Sequence, residues 1–227
     1  SKGLISPEEW REFCNEVVPL FVMDKFCRTN TETFSGEIKI ANYSLNSLEG
    51  KSINWQLVGK DGNIRDKGDM KITSTGNGLL EIGKITPDIS SISKAEELSL
   101  VISIVGTQYK NRYPIWVYPS DNAITPGKDI TITQTINKDI AAKLAEGGKV
   151  LWFPNKDNLK NLTIGGLFQT DYWNYRMFKG ICEWLKKPVS PGTMGILTNP
   201  EHPLFNDFPT DYHTNWQWYT IIKQSYP

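Results

Sequence analysis

Between residues 32 and 118 the apolar positions recur every second residue. Ile38 and Ile40 alternate with Glu37 and Lys39, Ile53, Trp55 and Leu57 with Asn54 and Gln56, and Leu98, Leu100, Ile102 and Ile104 with Ser99 and Ser103. A period of two sends one face of a strand to a core and the other to water. Asp61-Gly62 supplies the positive φ that a tight hairpin demands, and Gly76-Asn77-Gly78 marks a second turn. Further strands are predicted over 64–72, 79–85 and 113–118. About seven short strands in under roughly a hundred residues is the count of an immunoglobulin-like antiparallel β-sandwich, here without its inter-sheet cysteine pair.

The flanks carry different periods. Ser6-Pro7-Glu8-Glu9 is a capping box with proline at the first helical position, and it predicts a helix over 7–17. Trp10, Phe13, Cys14, Val17 and Val18 fall at helical spacing, so the pattern predicts one buried stripe on that helix. Past the sandwich, Pro119, Pro126 and Gly127 mark a boundary. Beyond it the pattern predicts a strand over 130–135, a helix over 138–145 closed by Gly147-Gly148, and an apolar strand over 150–153. That succession predicts a right-handed βαβ crossover with parallel pairing. A second helix is expected over 172–185, a short strand over 193–197, a Pro-rich loop over 200–209 and a last helix over 215–223. The organisation expected is α+β: helix and linker over 1–30, sandwich over 31–119, and a small α/β domain over 120–227.

Charge and composition narrow the function. Lys and Arg number 25, as do Asp and Glu, so no whole-chain field favours phosphate backbones or acidic lipid, and no nucleic-acid partner is expected. No apolar run approaches the roughly 20 residues of a membrane helix, and the N-terminus lacks the regions of a signal peptide, so a soluble chain without membrane insertion is expected. Cys14, Cys27 and Cys182 show no metal or disulfide spacing and read as small buried hydrophobes. With His202 and His213 the only histidines, neither a metal site nor a cofactor is expected.

Several stretches resemble the C-terminal accessory region of glycoside hydrolases of family 2 type, the β-galactosidase-like enzymes of gut Bacteroidetes. They are Ser6-Pro-Glu-Glu-Trp-Arg-Glu-Phe-Cys14 with Val18-Pro19-Leu20, Asn111-Arg-Tyr-Pro-Ile-Trp-Val-Tyr-Pro119, Gly147-Gly-Lys-Val-Leu151, Gly192-Thr-Met-Gly-Ile-Leu197, and His202-Pro-Leu-Phe205 through Phe208-Pro-Thr210 to Trp216-Gln-Trp218. The α/β part looks like a degenerate relative of the class I glutamine-amidotransferase or flavodoxin-like fold. The resemblance implies a secreted, periplasmic or extracellular parent, and other domains of that parent, glycans or further copies of the chain as partners. It also implies an α/β domain cut short at Pro227. In that family the paired carboxylates of glycoside hydrolysis sit on a (β/α)₈ barrel. No barrel repeat is found in this chain, so no catalytic residue is assigned.

Two constellations remain. An amidotransferase-like nucleophile needs a glycine-flanked elbow, whereas Gly180-Ile-Cys182-Glu183-Trp184 places Cys182 in a predicted helix, so a Cys182/His202 pair reads as structural. Tyr172, Trp173 and Asn174, with His213, Trp216 and Trp218, interleave aromatic and polar groups as a carbohydrate-binding surface does. Two other readings stand beside it: contact with another domain of a larger parent protein, and plain core, with Trp173, Trp216 and Tyr219 buried. Trp55 reads as the core tryptophan between the sheets. The sequons at Asn42 and Asn161 receive no role.

Overall fold

The structure, a computed structural model, describes residues 5–73, 76–120, 127–159, 175–187 and 197–224. It separates into two compact units: Ser1–Asp121 with Asn199–Thr210, and Asn122–Thr198 with Asp211–Pro227. Mostly β-sheet with few helices, it is a β-sandwich plus a small α/β region.

The first unit holds helix α1 (Pro7–Phe13) and eight strands: β1 (Val17–Val22), β2 (Cys27–Thr29), β3 (Gly36–Asn42), β4 (Ser52–Gly59), β5 (Ile64–Lys71), β6 (Gly78–Ile85), β7 (Glu96–Ile104) and β8 (Lys110–Tyr118). One sheet has the order β1-β3-β6, the other β2-β8-β7-β4-β5. All pairs are antiparallel except β2 with β8. The inward positions predicted from the alternation are those buried: Ile38 and Ile40, Ile53, Trp55 and Leu57, and Leu98 through Ile104 form one apolar cluster. The β4–β5 hairpin turns at Gly62, whose φ of 78° suits glycine. Opposite Trp55 the register places Gly68, and a Cβ there would lie 2.7 Å from the indole, so glycine makes room for the ring.

Sequence and structure part company at the N-terminus. The capping box forms as expected, with the Ser6 hydroxyl accepting from the Glu9 N–H at 3.2 Å and Glu9 accepting from the Ser6 N–H at 2.8 Å. The helix, however, ends at Phe13 rather than at residue 17, and Val17 and Val18 open β1. The reason lies in Pro19: it disfavours the helical region for Val18 and removes a backbone donor. On an edge strand paired only with β3, the missing N–H costs nothing. The stripe expected to be buried is therefore split. Val17 and Val18 are in the interior while Trp10 and Phe13 are 50% and 52% exposed. The short strand β2 was likewise not foreseen in the expected linker.

In the second unit β9 (Ile130–Thr133), α2 (Lys138–Ala145) and β10 (Lys149–Trp152) follow in order, and β9 and β10 pair in parallel as predicted. Asn137 caps α2, its side chain accepting from the Ile140 N–H at 2.9 Å. Neither element buries much: Ile132, Leu151 and Trp152 stay about half exposed, and α2 buries no residue. α3 (Lys156–Leu159), α4 (Tyr175–Trp184) and α5 (Tyr219–Gln224) complete the described helices. The last helix begins as a 3-10 turn, Trp216–Trp218, capped by Asn215. Most of the strand expected over 193–197 lies outside the described residues; Leu197 makes a bridge with His213. In the expected loop, Pro203–Phe205 forms one 3-10 turn.

Candidate functional site

The aromatic residues singled out in the sequence are placed in part. Tyr172, Trp173 and Asn174 lie outside the described residues. His213, Trp216 and Trp218 share one short segment. Asn215 organises it: its Oδ1 accepts from the Trp216 N–H at 2.8 Å, its carbonyl accepts from the Trp218 N–H at 2.9 Å, and its Nδ2 donates to Asp211 at 3.1 Å. The cap tilts the Trp216 ring against that of Tyr219 at 6.2 Å between centroids. Both rings remain well exposed, at 37% and 46%, which corrects the plain-core reading. His213 is exposed beside them and Trp218 is half-buried.

A second aromatic surface was missed because its residues read as a buried stripe. On α1, Trp10 and Phe13 meet edge to face at 5.2 Å and 64°. Glu12, the buried residue of this helix, fixes them in place. Its carboxylate receives the Nε and Nη2 of Arg112, both at 2.7 Å, and lies 3.4 Å from Lys110 Nζ. This two-pronged ion pair fastens α1 to β8 and holds the Arg112 guanidinium above its ordinary pKa. Because both rings stay half exposed, the helix presents an aromatic edge while its ion pair fastens it to β8. Cys14, expected to be buried, is exposed as the C-cap of α1.

Two shallow clefts lie among the sandwich loops. One, of about 460 Å³, is lined by Asn30, Thr31, Glu32, Thr33, Asp88 and Ser90 among others. The other, of about 430 Å³, includes Arg65, Ser91, Ser93, Lys94 and Glu96. Their polar groups hold the loops together. Asn30 donates to the Ile92 carbonyl at 2.9 Å and accepts from the Ser120 N–H at 3.0 Å, while Arg65 pairs with Glu96 and Asp61. Asp88 keeps a lowered pKa because the Ser90 backbone N–H donates to it. Cys182 sits inside α4, half-buried, with no strand-to-helix elbow around it. Asn42 is fully buried, its side chain committed to the loops around it.

The outer face of the five-stranded sheet carries a polar and aromatic row. Cys27, Trp116 and Glu97 are register partners across β2, β8 and β7, and Tyr118 lies two residues beyond Trp116 on the same face. Trp116 is wholly buried, yet among the described residues its Nε1 finds no acceptor and the buried Tyr118 hydroxyl no partner. Each such group costs about 1–3 kcal/mol. Burial pushes the Cys27 thiol up to about 11 and raises Tyr113 and Tyr118. The folded chain thus holds protons that the unfolded chain releases first, so this contribution to stability is present below pH 9 and is lost as pH rises toward 11. For Cys27 alone the loss is at most about 2 kcal/mol after allowing for solvent screening. Urea unfolding at pH 8.5 and 11 should show it, and Cys27→Ala should lessen it; an equal decline in both proteins would contradict the assignment.

With this geometry in hand, comparison with known proteins gives the following. A family model described as a domain of unknown function (DUF8487) matches residues 131–227, and another, domain of unknown function (DUF8488), matches residues 32–119. No curated protein matches the chain in sequence. Its neighbours among solved structures include proteins of glycoside hydrolase family 2 and family 123. A β-glucuronidase from glycoside hydrolase family 2 aligns at TM-score 0.31 and 10% identity over 45% of this chain. A β-D-glucuronidase of Dictyoglomus thermophilum aligns at 0.18 and 15% over 46%, and a family 123 glycoside hydrolase of Clostridium perfringens at 0.24 and 6% over 49%. The chain spans 11%, 15% and 26% of the length of these three proteins.

Proposed function

We propose that this chain is a non-catalytic accessory module of a larger, secreted glycoside hydrolase of family 2 type, supporting the catalytic domain or its assembly. In this reading the sandwich is immunoglobulin-like, the second unit is a degenerate amidotransferase-like domain, and the partners are other domains of the parent or further copies of the chain. The observation that carries it is the Trp10–Phe13 edge on α1, half exposed and mounted on the sandwich through Glu12 and Arg112. Aromatic residues held rigidly at a surface are the usual anchors of a protein interface. The motifs Ser6–Cys14 and Asn111–Pro119, which carry the family resemblance, contain the capping box of α1 and the arginine that pins it.

The experiment separates the chain from the rest of its reading frame. Produced as two polypeptides, the chain and the upstream part should associate. The double substitution Trp10→Ser/Phe13→Ser should weaken that association about thirtyfold, the loss of one aromatic anchor of roughly 2 kcal/mol, with the chain's own unfolding midpoint unchanged. A wild-type chain that does not associate would sink the reading. The half-exposed Trp216 and Tyr219 beside His213 favour a second one, a carbohydrate-binding module. Titration with galactosides decides for it if heat is evolved at millimolar ligand and lost in Trp216→Ala.

A further inference from the structure

A surface helix ordinarily holds to a sheet by burying an apolar stripe. α1 does not: of its seven residues Glu12 alone is buried, and every other is exposed. So short a helix does not stand in water on its own hydrogen bonds. Its polar tie to the strands is the Glu12 carboxylate, which takes two bonds from Arg112 at 2.7 Å and lies 3.4 Å from Lys110. The two cations stand two residues apart on the exposed face of β8 and are themselves about half exposed. Among the described residues α1 makes no other hydrogen bond or ion pair to the sheets. Beside this clamp a cleft of about 210 Å³, lined by Glu8, Arg11, Glu12, Asn15, Gln108 and Lys110, opens between the helix and the β7–β8 turn.

The chain just past the helix is held separately. The Glu16 carbonyl accepts from the Tyr43 N–H at 2.8 Å, and its carboxylate accepts from the Tyr109 hydroxyl at 2.5 Å. Between the clamp and this anchor, Cys14 and Asn15 bond only to their neighbours along the chain: the Cys14 N–H donates to the Trp10 carbonyl, the Asn15 amide donates to the Arg11 carbonyl, and its Oδ1 accepts from the Glu16 N–H. Val17 and Val18, the first residues to enter the interior, lie on the far side of the anchor. We propose that α1 is a hinged arm, held down by the Glu12–Arg112–Lys110 clamp and released when the clamp is broken, while the sandwich stays folded. Such a segment opens locally rather than with the cooperative core. Combined with the interface reading above, on which this consequence rests, the arm makes the Trp10–Phe13 edge conditional: clamped, the rings stand preorganised for a partner, and released, they do not.

Hydrogen exchange of the full chain, wild type against Lys110→Gln/Arg112→Gln, tests this. The substitutions break the clamp from the β8 side and leave the α1 sequence and its capping box intact. Exchange of the Trp10 and Cys14 amides, which bond to the Ser6 and Trp10 carbonyls, should quicken about tenfold on loss of a two-pronged, charge-assisted pair. The β4 and β7 amides report on the core and should stay as protected as in the wild type. Unchanged α1 exchange in the variant, or a wild-type helix already exchanging at the free-chain rate, would overturn the proposal. So would faster exchange in β4 and β7 together with α1, since the helix would then belong to the core. The measurement uses the chain alone, so a failure to associate with the upstream part counts against the interface reading and not against the arm.

Discussion

Replacing Trp55 with alanine is expected to cost about 3–5 kcal/mol of unfolding free energy, the range for removing a large aromatic from a packed core. Trp55 stands in the middle of β4, paired with Gly68 on one side and Ile102 on the other, and is 8% exposed. The cavity left behind would be bounded by strand backbone on the β5 side, where Gly68 has no side chain to move in. A second substitution checks the geometry. Gly68→Val should itself destabilise, because its Cβ would fall 2.7 Å from the indole. In the Trp55→Ala background the same valine should recover part of the loss, because it enters vacated space. Urea unfolding of the four proteins gives the coupling directly. A Trp55→Ala cost below about 1 kcal/mol, the level of a surface substitution, would show that the indole is not a core residue.

Asn42→Ala should cost about 3 kcal/mol, because one fully buried amide satisfies several groups at once. Its Nδ2 donates to the Gly76 carbonyl at 3.1 Å and the Asn46 carbonyl at 3.5 Å. Its Oδ1 accepts from the Ser44 N–H at 3.2 Å and the Ser44 hydroxyl at 2.8 Å. Alanine removes all four bonds at the end of β3, where the loop after β3 meets the turn before β6, and leaves only the Ser44 hydroxyl bonded to the Asn46 carbonyl at 3.3 Å. Asn42→Asp should be worse at neutral pH, since a carboxylate would face two carbonyl oxygens with no donor to offer. The urea midpoint should fall while its slope stays constant, the sign of lost stability without change in surface exposed. A cost under about 1 kcal/mol for alanine would mean that the amide is not the organiser of these loops. The same burial leaves the Asn42 sequon without the exposed amide that glycan attachment requires.

Much of the sandwich was legible because alternation is local. The residues at every second position of β3, β4 and β7 form the core, and Asp61-Gly62 turns where the pattern says. Helix α2 has the predicted bounds because Asn137 and the glycines after Ala145 are short-range signals. The start of α1 was equally plain in its capping box. Its end was not, because Val17 and Val18 fit helical spacing as well as strand alternation, and only Pro19 spoke against the helix. That misreading also concealed the aromatic edge of α1: Trp10 and Phe13 were counted with two valines that belong to a strand. The candidate aromatics at His213, Trp216 and Trp218 could be named from composition, yet their exposure could not, because tryptophan serves a core and a surface equally well.

Periodicity, caps and turn residues, each acting within a few neighbours, determined on their own which stretches become strands and helices and where several of them begin. Which apolar groups remain outside, and that Asn199–Thr210 joins the sandwich rather than the unit around it, was decided by the tertiary structure. The physical reason is that burial depends on what arrives from distant parts of the chain. Phe208 meets Tyr118 and Glu12 meets Arg112 across separations that no local pattern spans.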